Sequence, residues 1–177
     1  MDGPASIGPF LWLWVAMTAA MMLPTVVPAA SLATSVGRSG SAFVTGYFVV
    51  WSVTGTIAFE AARGLMSAGR WIAASAVVVA AVYQVSPLKD ACMRRCRSPL
   101  GLLLRRRPFA AGLEHGLVCL GCCWGLMLAL LALGAGSLFW MAAVAAVIFV
   151  EKVTAFGAHA PAPVAFALLG VAVWIAL

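Results

Sequence analysis

The sequence predicts an all-α protein, a polytopic transmembrane helical bundle of about six helices (five to six). Three observations predict it. The 177-residue chain is 64% hydrophobic and 9% charged, with a mean hydropathy of +1.08, whereas ordinary soluble domains carry roughly 25% charged residues. Its apolar runs approach or exceed the ~20 residues that a bilayer-spanning helix needs. The connections between them are short and rich in Gly, Ser and Arg. Isolated strands cannot cross lipid, and these runs are too long for the alternating strands of a barrel. With no polar stretch long enough for a second domain, residues 1–177 are expected to form one membrane domain.

The first apolar run extends from Ile7 to about Ala30. Pro24 and Pro28 lie inside it and are expected to kink it or end it early. The second run covers about Phe43 to Ala62, the third Trp71 to about Leu88, and the fourth about Phe109 to Leu133. The fifth covers Ser137 to about Val153, and the sixth is the short stretch from Pro163 to Leu177. The first run is expected to stay uncleaved. A signal peptide wants basic residues ahead of its apolar core, and Asp2 is the only charge there.

The net charge of +6 is concentrated. Lys89, Arg94, Arg95, Arg97, Arg105, Arg106 and Arg107 all fall between the third and fourth runs. The positive-inside rule then places the basic loop 92–108 in the cytoplasm and both termini outside. A multi-pass protein of the plasma (inner) membrane follows, with the lipid bilayer as its first partner. Topology and anionic lipid contact together are the plain reading of this loop. Nucleic acid is not expected as a partner, because the basic residues lack interleaved aromatics.

Polar and soft side chains in an apolar helix are costly and are default candidates for function. The fourth run carries Glu114, His115, Cys119, Cys122 and Cys123. At 100° per residue, His115 and the three cysteines fall within one arc of about 80–100°. Thiol and imidazole bind Zn²⁺ and copper, and soft sulfur favours Cu(I). Gly112 with Gly116, and Gly121 with Gly125, form two small-xxx-small pairs on roughly opposite faces, which points to a helix at the centre of the bundle.

Cys92 and Cys96 are one turn apart at the inner end of the third run, where neighbouring arginines favour thiolate. Met17, Met21 and Met22 precede Pro24, and thioethers also hold Cu(I). Glu151 is placed to pair with Lys89 or to orient His115 as an outer partner of a metal ligand. Glu60 is expected to pair with Arg63 at i+3. The candidate metal residues are thus Cys119, Cys122, Cys123, His115, Cys92, Cys96, Glu151, Met21 and Met22. Each has a packing alternative, since buried cysteine and methionine are common core residues. No catalytic residue stands out. The esterase, zinc-protease, phosphate-loop and dinucleotide motifs are all missing, so an enzyme is the weakest reading.

Several of these blocks occur together and in order: Ala20-Met21-Met22-Leu23-Pro24, Tyr83-Gln84 through Pro99, Cys119-Leu120-Gly121-Cys122-Cys123-Trp124-Gly125-Leu126-Met127, Trp140-Met141 and Glu151-Lys152. Over residues 12 to 157 they resemble a bacterial family of predicted metal-binding integral membrane proteins, a domain of unknown function. The resemblance implies metal binding, with Cys92, Cys96, Cys119, Cys122, Cys123 and Glu151 at the matching positions. The leading expectation is copper (Cu(I)) handling or delivery, or a subunit beside a copper-dependent membrane enzyme, with zinc as the alternative ion. A metallochaperone or other membrane subunits are the expected partners. Two other readings stay open. One is a proton-coupled transporter or channel subunit using Glu114, His115 and Glu151; the other is an assembly subunit working through its glycine faces.

Overall fold

The computed structural model describes residues 6–67, 69–134, 137–154, 157 and 159–177. Asp2, on which the expectation of an uncleaved first run rested, lies outside the described residues. Among them the chain is entirely helical, with eight helices. These are α1 (Ile7–Ser35), α2 (Gly40–Ser67), α3 (Arg70–Gln84), α4 (Pro87–Arg97), α5 (Leu100–Arg105), α6 (Pro108–Leu133), α7 (Leu138–Val153) and α8 (Pro161–Ala176).

The count corrects the expected six. The two additional helices, α4 and α5, lie in the basic segment that hydropathy marks only as a loop. Local chemistry starts and stops α4. Ser86 caps it by accepting from the Lys89 amide at 3.2 Å, and Pro87 occupies the first turn. Asp90 sits near its positive end and Arg94, Arg95 and Arg97 near its negative end, as the helix dipole favours.

By length and composition, α1, α2 and α6 can each cross a membrane. The α3–α4 pair qualifies as a fourth span only when taken together, and it is bent by 64°. The sixteen-residue helices α7 and α8 reach only about 24 Å at 1.5 Å per residue, against a hydrocarbon core of about 30 Å. Pro24 and Pro28 do not end α1, which runs for 29 residues.

Helix α6 is the hub, packing against α2, α3, α4, α5 and α7. Its glycines explain how. A Cβ on Gly112 would run into the Phe43 carbonyl, and one on Gly116 would meet the Val50 side chain at 3.0 Å and the Tyr47 carbonyl at 3.2 Å. Gly46 of α2 meets the Phe109 carbonyl in the same way, so α2 and α6 touch backbone to backbone. On the other side, Gly121 faces Cys92 and Gly125 faces Tyr83 and Ala80. Gly112→Ala is therefore expected to lower stability by about 1–3 kcal/mol through overpacking. Gly170→Ala in α8, which has open space around it, should lower nothing. Thermal unfolding of the two variants in detergent checks the contrast.

Two polar ties fix the remaining geometry. The Trp14 indole donates to the Trp51 carbonyl at 3.0 Å, joining α1 to α2. Arg38 donates to the carbonyls of Arg106 at 2.6 Å and Leu104 at 3.1 Å, fastening the α1–α2 turn to the end of α5. The exposed Glu60–Arg63 pair forms as expected, at 3.8 Å.

Candidate metal centre

Helix α6 turns one face towards α4, α2 and α7, and its cysteines lie where these meet. The Sγ atoms of Cys96 (α4), Cys119 and Cys122 (α6) all lie within 4.8 Å of one another. Two sulfurs bound to one ion at about 2.3 Å would stand about 4.6 Å apart in a linear site and about 4.0 Å apart in a trigonal one. The observed grouping suits either. Cys119 and Cys122 are buried, and Cys96 is partly so. All five cysteines are free thiols.

Cys119 is the node of the group. The Cys122 and Cys123 thiols both donate to its backbone carbonyl, at 3.0 and 2.9 Å. Its own sulfur lies 2.9 Å from the Tyr47 hydroxyl and 2.7 Å from Lys152 Nζ. An ammonium can only donate, and a buried one requires a compensating partner. The arrangement is thus an ammonium donating to a thiolate-like sulfur. Lys152 Nζ also lies 3.7 Å from the Met22 thioether. Four kinds of donor side chain, from four helices, therefore converge on one buried spot.

The other candidates lie around this group. Cys123 is buried beside it, with its thiol turned to the Cys119 carbonyl. Met22 is fully buried on α1 near Lys152, and Met21 is buried one residue earlier. His115 is buried one turn from Cys119, against the rings of Phe43 and Tyr47 at centroid distances of 5.4 and 5.9 Å. Cys92 stands outside the three-sulfur group, with its sulfur against Gly121 of α6.

Of the two partners expected for Glu151, it takes Lys89 and not His115. It accepts two hydrogen bonds of 2.8 Å from Lys89 and a further one from Gln84. Arg94 is paired with Asp90 and Arg97 donates to the Thr154 carbonyl, which leaves Arg95 as the neighbouring arginine whose charge favours a thiolate at Cys92.

Sequence reasoning missed Lys152 and Tyr47. Adjacent Glu151 and Lys152 suggest a pair of opposite charges, yet neighbours on a helix point about 100° apart. Glu151 therefore turns to α3 and α4, and Lys152 turns to the sulfurs. That geometry was the available signal. Tyr47 gave none, since an aromatic residue in an apolar run reads as packing.

No curated protein and no solved structure matches the chain. A family model described as PpoB2: Copper chaperone matches residues 11–175, nearly the whole sequence. It narrows the expectation of a metal-binding family to one that handles copper. The chain, with its buried three-sulfur group, belongs to the PpoB2 copper chaperone family.

Proposed function

We propose that the protein is a membrane-embedded carrier of Cu(I). It holds the ion at Cys96, Cys119 and Cys122 and hands it to a copper-dependent enzyme or a further membrane subunit. The observation that carries this reading is the three-sulfur group within 4.8 Å, in a chain of the copper chaperone family. Copper is favoured over zinc by the donor set. Structural zinc takes four Cys or His ligands, whereas the group holds three thiols with no imidazole or carboxylate. The thioether of Met22 nearby is a soft donor suited to Cu(I). Charge agrees in sign: three thiolates on Cu(I) sum to −2, and the Lys152 ammonium beside Cys119 offsets one of those charges.

The bilayer is the proposed setting. Three helices are long and apolar enough to cross it, and large apolar side chains such as Trp12, Ile57, Leu117, Phe166 and Trp174 face outward. The basic segment 92–108 then lies at the cytoplasmic face, and the whole chain forms a single domain.

The test is X-ray absorption at the copper edge on the Cu(I)-loaded chain, with equimolar Zn²⁺ present. Two or three sulfur scatterers at about 2.3 Å are expected, with copper retained. Oxygen or nitrogen scatterers alone, or copper displaced by zinc, would sink the assignment.

The proton-relay reading gains no support from the geometry. Glu114 pairs with Arg106 at 3.3 Å and Glu151 with Lys89. No hydrogen bond joins Glu114, His115 and Glu151 among the described residues.

A further inference from the structure

A cavity of about 510 Å³ opens between α4, α5 and α6. Its walls include Arg95, Arg105, Arg106, Glu114, His115 and Val118. None of the cysteines lines the cavity; its link to the sulfur group is His115, which lines it and lies one helical turn before Cys119 on α6. The rim is held in place, because Arg38 binds the Arg106 and Leu104 carbonyls. Deeper in, the His115 ring is 97% buried, and no hydrogen bond ties its nitrogens among the described residues.

The charge of this opening is the wrong sign for a bare metal cation. It carries three guanidiniums and one carboxylate, and that carboxylate is already engaged by Arg106. Arg95 and Arg105 have no ion-pair partner among the described residues. A rim of uncompensated guanidiniums repels cations and binds carboxylates in forked geometry. Copper that passes here therefore arrives inside an anion.

Resting on the Cu(I) centre proposed above, we infer that this cavity is the loading port for Cu(I) bound to a small anionic thiol carrier bearing carboxylates. The guanidiniums of Arg95 and Arg105 hold the carrier's carboxylates while its copper passes the His115 ring to the sulfurs. Transfer is ligand exchange without redox change. A protein sulfur forms a Cu–S bond, one carrier Cu–S bond breaks, and the protein thiol's proton goes to the departing carrier thiolate. The metal stays Cu(I) throughout.

Three carriers that differ mainly in charge test this on the full chain in zwitterionic nanodiscs. The Cu(I) complexes of mercaptoacetate, 2-mercaptoethanol and cysteamine are mixed with the protein, and loading is followed by stopped flow. The expected order of rates is mercaptoacetate, mercaptoethanol, cysteamine. The extremes should differ about tenfold or more at low salt, and the spread should collapse at high salt. In Arg95→Gln/Arg105→Gln the ratio of the mercaptoacetate rate to the cysteamine rate should fall towards one, as loss of rim charge acts on association. A wild-type ratio at or below one overturns the port. So does a ratio that the double variant leaves intact, or one that vanishes when the nanodiscs are made anionic, since the arginines would then serve lipid headgroups. A chain that takes copper from none of the three overturns the copper centre itself, a result distinguishable from loading that ignores carrier charge.

Discussion

Cys119→Ser is expected to abolish copper binding. Purified wild-type chain equilibrated against a Cu(I) chelator should retain about one ion, while the variant should fall to background, an affinity loss above the 10–100-fold that outer partners of a metal site cost. The reason is the number of roles that meet at this residue. Its sulfur belongs to the three-sulfur group, lies on the Lys152 ammonium and touches the Tyr47 hydroxyl. A serine oxygen is harder, stays protonated and cannot match soft Cu(I). The backbone carbonyl that holds Cys122 and Cys123 survives the change, so helicity should not fall. Cys92→Ser serves as the comparison. Its sulfur lies outside the group, and loss of more than about tenfold there would move the site towards α4.

Glu151→Leu should produce the largest loss of stability. Lys89 and Glu151 are 2% and 1% exposed and sit 2.8 Å apart, joining α4 to α7. Removing one partner strands a buried charge, which costs about 3–5 kcal/mol. Replacing both, as Lys89→Met/Glu151→Leu, should recover most of that, because well-packed apolar residues substitute for a buried pair at little net cost. Thermal unfolding of the three proteins in one detergent decides it. A single variant as stable as wild type would mean that water reaches Lys89. A double variant no better than the single would mean that Gln84, which also donates to Glu151, is the greater loss.

The helical class was legible because apolar runs of this length admit no other solution in lipid. The central place of α6 was legible too, because glycines at Gly112, Gly116, Gly121 and Gly125 can only mean close neighbours on two sides. The helical arc placed Cys119 and Cys122 on a shared face. What the sequence hides is which residues arrive from elsewhere. Cys96 joins the group while Cys92, one turn away, does not, and only the seating of α4 on α6 decides that. Helices α4 and α5 were hidden because hydropathy registers their charges as a loop, although Ser86-Pro87 followed by Asp90 is a helix-start signal. Lys152 was hidden by its neighbour, since adjacent opposite charges suggest a pair that a helix keeps apart.

In the Cu(I) centre proposed above, the bend between α3 and α4 makes the sulfur group an uneven chelator. Cys119 and Cys122 ride on one unbroken helix, so the bite between them is preset and its ordering cost is met when α6 folds. Cys96 is a third tooth on a separate arm, hung from the 64° bend and pinned by Lys89 to Glu151. Its effective concentration at the metal depends on how firmly that arm is held. Denticity is thus mechanical here. In that proposed centre, the ion pair that joins α4 to α7 also sets whether two sulfurs or three are presented to an ion.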